Sequence, residues 1–309
     1  MNEANAAVGA CNCLLRRLIT ALGAAVLGAS IMGTTESQAQ LAPLPIPAQV
    51  SVKEGWVEVP DSRLWYWDTG GNGPAIVLLH PATGSGLIWS YQQPVFAKAG
   101  YRVIAYSRRG YYNSAPYERD KAGIGSEDLR SLADSLGLQR FHVVASAAGG
   151  SIAADFALSY PDRLLSLSIS SNSFGVRDGA IAKAADFIRP KGWDDMAPEF
   201  RELGPSYRAM NPDGVRQWVE LEHKAHVSSD YRQRLKNQMT QARLKEIKPP
   251  TLVINGAADL STPPSIGRML VAEIPGSELV VAPESGHSVY WEQPDIFNRA
   301  VLDFVGKHP

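Results

Sequence analysis

Apolar residues fall into many short runs rather than one long stripe, and the texture of those runs changes near residue 74. Before it, 41–49 (Leu-Ala-Pro-Leu-Pro-Ile-Pro-Ala-Gln) is proline-rich and predicts an extended arm. The runs 50–59 and 63–68 are strand-like, are joined by Pro60-Asp61 and are closed by Thr69-Gly70-Gly71-Asn72-Gly73-Pro74. They predict an antiparallel hairpin at one sheet edge. Then come compact apolar runs at 75–79, 102–106, 141–145, 164–170, 251–255 and 278–282. Helix-like segments lie near 88–98, 126–137, 149–159, 264–274 and 293–305. Apolar strands alternating with helices predict an α/β fold, with a mostly parallel sheet buried on both faces.

The rhythm breaks between 173 and 248, where helical texture and Trp193, Tyr207, Trp218 and Tyr231 replace any buried strand. Such a connection is far longer than usual. It predicts a helical lid over the carboxyl edge of a core made of 40–172 and 249–309, and hence a covered pocket. No internal repeat is visible.

The first 39 residues have a different character. Arg16 and Arg17 precede an apolar, Ala- and Gly-rich stretch at 18–32, a polar run at 34–38 and the small-x-small site Ser37-Gln38-Ala39. This layout predicts a cleavable export leader over 1–39 and a periplasmic or secreted protein. The paired arginines fit a twin-arginine signal as one route. The apolar stretch, at about 15 residues, falls short of the ~20 that span a membrane. Cys11 and Cys13, the two cysteines, both precede that stretch, so everything after it lacks a disulfide, a zinc ribbon or a cysteine nucleophile.

Composition narrows the partners. With 45% hydrophobic and 20% charged residues the bulk of the chain is not intrinsically disordered. A formal net charge of −1 without a basic block argues against nucleic acid or anionic lipid and leaves a small molecule as the expected partner. No cofactor motif is apparent: Gly70-Gly71-Asn72-Gly73 lacks the lysine and spacing of a phosphate loop. His223 and His226, interleaved with Glu220, Glu222 and Lys224, read as an exposed helix rather than a metal face. His142 reads as structural, and Trp65, Tyr66 and Trp67 as packing within the hairpin.

The runs carry motifs at their carboxyl ends. These are His80-Pro81-Ala82-Thr83-Gly84, Tyr106-Ser107-Arg108-Arg109-Gly110-Tyr111, Ala145-Ser146-Ala147-Ala148-Gly149-Gly150 with Tyr160-Pro161-Asp162-Arg163 behind it, Gly256-Ala257-Ala258-Asp259 and Gly286-His287-Ser288. In order and spacing, over roughly three quarters of the chain, they resemble the α/β-hydrolase superfamily, in its lid-bearing branch of 3-oxoadipate enol-lactonases and esterases. The resemblance implies His287 as base and Asp259 as its orienting carboxylate, each on a loop after its strand. It also implies an oxyanion hole from the N–H groups of Ala82 and Ala148, with His80 in support. Trp89, Tyr111 and Tyr290 would face the pocket and suit an apolar or aromatic substrate.

One position departs from the family. Its elbow is Gly-x-Ser-x-Gly, and the nucleophile position falls on Ala147, whose methyl cannot attack a carbonyl. Three accounts stand side by side. A register one residue back makes Ser146 the nucleophile, at the cost of branched Val144 where the elbow wants a small residue. A substitution has replaced a serine. Or Ala147 is native, and the site works without a serine or does not catalyse. The chemistry left open is hydrolysis of an ester, lactone or C–C bond beside a carbonyl, proton abstraction beside a carbonyl (lyase, isomerase or cofactor-free oxygenase), or ligand binding alone.

Overall fold

The computed structural model describes residues 44–226 and 233–309; the expected leader with Cys11 and Cys13, the start of the proline arm and Tyr231 lie outside the described residues. Among the described residues no helix is long and apolar enough to cross a membrane.

Eight strands form one sheet: β1 Lys53–Val59, β2 Ser62–Asp68, β3 Ala75–Leu79, β4 Arg102–Tyr106, β5 Phe141–Ser146, β6 Leu164–Ser170, β7 Thr251–Gly256 and β8 Glu278–Ala282. Their spatial order is β1-β2-β4-β3-β5-β6-β7-β8. β1 and β2 pair antiparallel, β2 meets β4 antiparallel, and every later pairing is parallel. The central runs, β3, β5 and β7, are apolar on both faces because both faces are covered, whereas the edge strand β8 is partly exposed. Val77, Leu79, Val143, Ala145, Leu167 and Ile169 enter one core with α2 Gly125–Ser135, α3 Ala148–Ser159 and α8 Pro264–Glu273. Ile76, Leu78, Val144, Leu252 and Ile254 enter the other, with α1 Gln93–Lys98 and α10 Pro294–Gly306. Alternation along each strand assigns the side.

Between β6 and β7 the described residues form α4 Gly179–Ile188, α5 Pro198–Glu202, α6 Pro205–Met210 and α7 Pro212–Ala225. α4 packs on α8, and α7 on the 86–89 turn that follows β3. The Tyr112 N–H donates to the Ala225 carbonyl at 2.7 Å, and His287 N–H to the Glu202 carbonyl at 2.8 Å. The insertion therefore lies against loops at the carboxyl ends of β3, β4 and β8.

Candidate active site

β5 ends and α3 begins without a loop between them, and the backbone reverses at Ala147, with φ 46° and ψ −121°. A residue with a β-carbon is strained there. The conformation is held by its surroundings: Ala147 N–H donates to the Ser170 carbonyl at 2.9 Å, and Gly150 N–H to the Ala147 carbonyl at 2.8 Å. The next two glycines let helix and sheet close. A β-carbon on Gly149 would stand 2.4 Å from the Leu79 carbonyl oxygen, and one on Gly150 2.7 Å from Ile169. The elbow is thus built in full and carries a methyl.

This geometry corrects the slipped register. Ser146 is the last residue of β5, cross-strand from Ser170, and shares its face with Val144. It is fully buried and its hydroxyl has no hydrogen-bond partner. The turn comes one residue later, so Ser146 points into the α10-side core rather than out of the elbow.

On the same sheet edge, two and three strands away, Asp259 follows β7 and His287 follows β8. Their side chains meet, with His287 Nδ1 2.8 Å from Asp259 Oδ2. Asp259 is saturated with donors. Its Oδ1 accepts from the Ser261 N–H at 2.8 Å, the Thr262 N–H at 3.0 Å and the Ser261 hydroxyl at 3.2 Å, and its Oδ2 from the Thr262 hydroxyl at 2.8 Å. Burial alone would raise this carboxyl, but the adjacent imidazolium and the N–H donors hold it down to about 2. Burial alone would lower His287, but Asp259 and then Glu202 outweigh it and raise the imidazole to about 9. With Nδ1–H committed to Asp259, Nε2 is the nitrogen left for chemistry.

The other face of the elbow is the loop after β3. His80 is fully buried. The Arg108 backbone N–H donates to its Nε2 at 3.1 Å, so Nδ1 carries the proton and donates to the Pro81 carbonyl at 2.7 Å. Burial, reinforced by the Arg108 charge, holds His80 well below its ordinary range, and it is neutral. Its bond to the Pro81 carbonyl ties down the start of the turn bearing Ala82, which is exposed; Ala148, which opens α3, is half-buried. The N–H groups of a first helical turn have no intrahelical partner, and the helix dipole favours negative charge there.

Other expected residues fall elsewhere. Trp89 and Tyr290 are buried against each other, ring centroids 5.0 Å apart, and Tyr111 packs edge-on to His80 at 4.6 Å. They are packed into the interior. His142 is buried with its Nδ1 2.8 Å from the Ser166 hydroxyl, and His223 is exposed. Two carboxylates escaped the sequence reading. Glu202 arrives from the insertion, and burial raises its pKa while the His287 charge opposes. Glu292 is buried in α9 Val289–Glu292, where burial lifts it to about 7 against the N–H groups of Gly286 and Gly204. A charged residue amid apolar 289–291 was the available signal for Glu292; for Glu202 there was none.

Comparison with known proteins follows the same lines. The model of the Alpha/beta hydrolase family matches residues 76–300. A 2-hydroxy-6-oxononadienedioate/2-hydroxy-6-oxononatrienedioate hydrolase of Paraburkholderia phymatum is 29% identical over 84% of this chain and 95% of its own. Among solved structures, Est816, described as an N-acyl homoserine lactone degrading enzyme, is 26% identical with a TM-score of 0.66, over 81% of this chain and all of its own. The enol-lactonase of Burkholderia xenovorans LB400, at 23% identity and a TM-score of 0.65, covers 82% of this chain and all of its own and shares the fold.

Proposed function

This chain belongs to the alpha/beta hydrolase family, and on that premise we propose that it hydrolyses a small, largely apolar carbonyl compound without a nucleophile of its own. The substrate class is an ester, a lactone or a C–C bond beside a carbonyl, in keeping with relatives named for a keto-dienedioate and for an acyl homoserine lactone. One observation carries the reading: a strained elbow bearing only a methyl shares its sheet edge with an assembled His–Asp pair.

In this mechanism neutral His287 Nε2 takes a proton from water as the water oxygen bonds to the carbonyl carbon. The resulting oxyanion is held by the N–H groups of Ala82 and Ala148 at the start of α3. The tetrahedral centre then expels its leaving group, which takes the proton back from His287, and no bond to the chain forms. Asp259 keeps the imidazole in the right tautomer and stabilises its charged form. The insertion 173–248 serves as the lid, and 1–39 as an export leader that N-terminal sequencing of exported protein would find removed.

A second reading uses the same pair: with no hydroxyl at 147 for His287 to deprotonate, the proton it takes can come from carbon beside a carbonyl. Turnover of 4-nitrophenyl esters, γ-lactones and β-diketones between pH 7 and 9, by the parent and by His287→Ala, separates the two. Hydrolysis by the parent that vanishes in His287→Ala supports the first. A parent silent on all three yet exchanging the α-deuterium of a bound ketone supports the second, and affinity without either reaction leaves a binding protein.

A further inference from the structure

Residues 284–292, which carry His287, and 202–214 of the insertion are stitched edge to edge. The N–H groups of His287 and Ser288 both donate to the Glu202 carbonyl, at 2.8 and 2.9 Å. From the other side, Glu292 Oε2 accepts from the Gly204 N–H at 2.8 Å and the Gly286 N–H at 3.0 Å. The Ser206 hydroxyl donates to Glu284 at 2.7 Å, and the Trp291 indole to the Gly214 carbonyl at 3.2 Å. Two glycines make the contact possible. A β-carbon on Gly286 would stand 2.4 Å from the Gly204 nitrogen, and one on Gly204 2.8 Å from the Gly286 nitrogen and 2.9 Å from Glu292 Oε2.

We infer that Glu292 is a positioning residue: its carboxylate clasps the Leu203–Gly204 turn to Gly286 and so sets where His287 stands relative to the insertion and to Glu202. Its consequence for rate rests on His287 being the base, as proposed above. A carboxyl oxygen suits the task because it can accept from two N–H groups at once. The whole load falls on that atom, since Oε1 has no hydrogen-bond partner. Glu292 lies at 4% exposure, so water cannot easily replace either bond.

The test is turnover of 4-nitrophenyl butyrate and NMR titration of the His287 imidazole in the parent, Glu292→Ala, Glu292→Gln and Gly204→Ala, with Tm measured for each. Misplacing a catalytic group by about 1 Å costs on the order of 100-fold in rate. Glu292→Ala and Gly204→Ala are therefore expected to lose about 100-fold in kcat with little change in KM. Glu292→Gln keeps an acceptor for both N–H groups without the charge and is expected to recover most of that loss. Gly204→Ala retains every carboxylate, so a shifted His287 midpoint in it reports displacement of the imidazole alone, and it serves if Glu292→Ala does not fold. Parent-like kcat and His287 midpoint in folded Gly204→Ala overturn the inference. So does Glu292→Gln as slow as Glu292→Ala, which would make charge rather than the clasp decisive. If the parent hydrolyses no ester, the ester part of the proposed substrate class fails, while the His287 midpoint in Gly204→Ala still decides the clasp.

Discussion

Replacing Asp259 by asparagine removes one charge and almost no volume, and its effect on His287 can be worked out from the site. In the parent the imidazole is raised from the ordinary 6.5 to about 9, which corresponds to roughly 3 kcal/mol favouring the charged form. Burial works against that form, and Asp259 is the first of the groups that overcome it. Without the carboxylate, Glu202 and Glu292 remain but burial prevails, and His287 in Asp259→Asn is expected to titrate at or below 6.5. A raised histidine pKa contributes stability that is complete below pH 6.5 and lost as pH rises through about 9, so the parent should weaken over that window by about 3 kcal/mol and the variant should not. Rate should change in the same sense. The parent limb rises toward pH 9 as Nε2 becomes neutral, whereas the variant limb moves to lower pH. Its plateau drops by as much as about 10⁴-fold, because an amide can present its NH2 to Nδ1 and favour the wrong tautomer. Two-dimensional NMR of the imidazole, paired with urea unfolding from pH 6 to 9, reads both effects. A His287 midpoint that stays near 9 in Asp259→Asn would refute the electrostatic account.

Three further outcomes are expected. Ala147→Gly relieves about 1–3 kcal/mol of backbone strain and adds about 0.5–1 kcal/mol of unfolded-chain entropy, so it should stabilise by about 1 kcal/mol in urea; a destabilised variant would mean that the elbow is not strained. Ala147→Ser should place a hydroxyl at the elbow and be labelled there by a fluorophosphonate that leaves the parent unlabelled, read by peptide mass spectrometry. Arg109→Ala should cost about 3–5 kcal/mol, because the Arg109–Asp128 pair, 2.7 Å apart and at most 3% exposed, would leave a buried carboxylate uncompensated; a loss under 1 kcal/mol in thermal unfolding would show that the pair matters little.

The sheet was legible because its central strands are buried on both faces and so read as continuous apolar runs. The runs at 75–79, 102–106, 164–170 and 278–282 are strands to the residue, and those at 141–145 and 251–255 extend by one. The elbow register was harder. Ser146 and Ala147 differ by a single step along the chain, and only the positive φ at 147, with the close seats of Gly149 and Gly150, decides between them. Trp89, Tyr111 and Tyr290 were expected to face a pocket, but nearness to a motif says nothing about direction, and each is buried against a neighbouring ring. The relation of Glu202 to Glu292 was invisible because they lie 90 residues apart and only their segments meet, at the Gly204–Gly286 contact. Periodicity records the face of one element and not the docking of an insertion onto a loop.

The central claim is carbonyl hydrolysis with no bond to the chain. Its most direct test is rapid-quench intact-mass spectrometry of the protein during turnover of 4-nitrophenyl butyrate at pH 9. Product should be released with the protein mass unchanged at every time point. A butyrylated protein that forms and decays at the rate of turnover would contradict it.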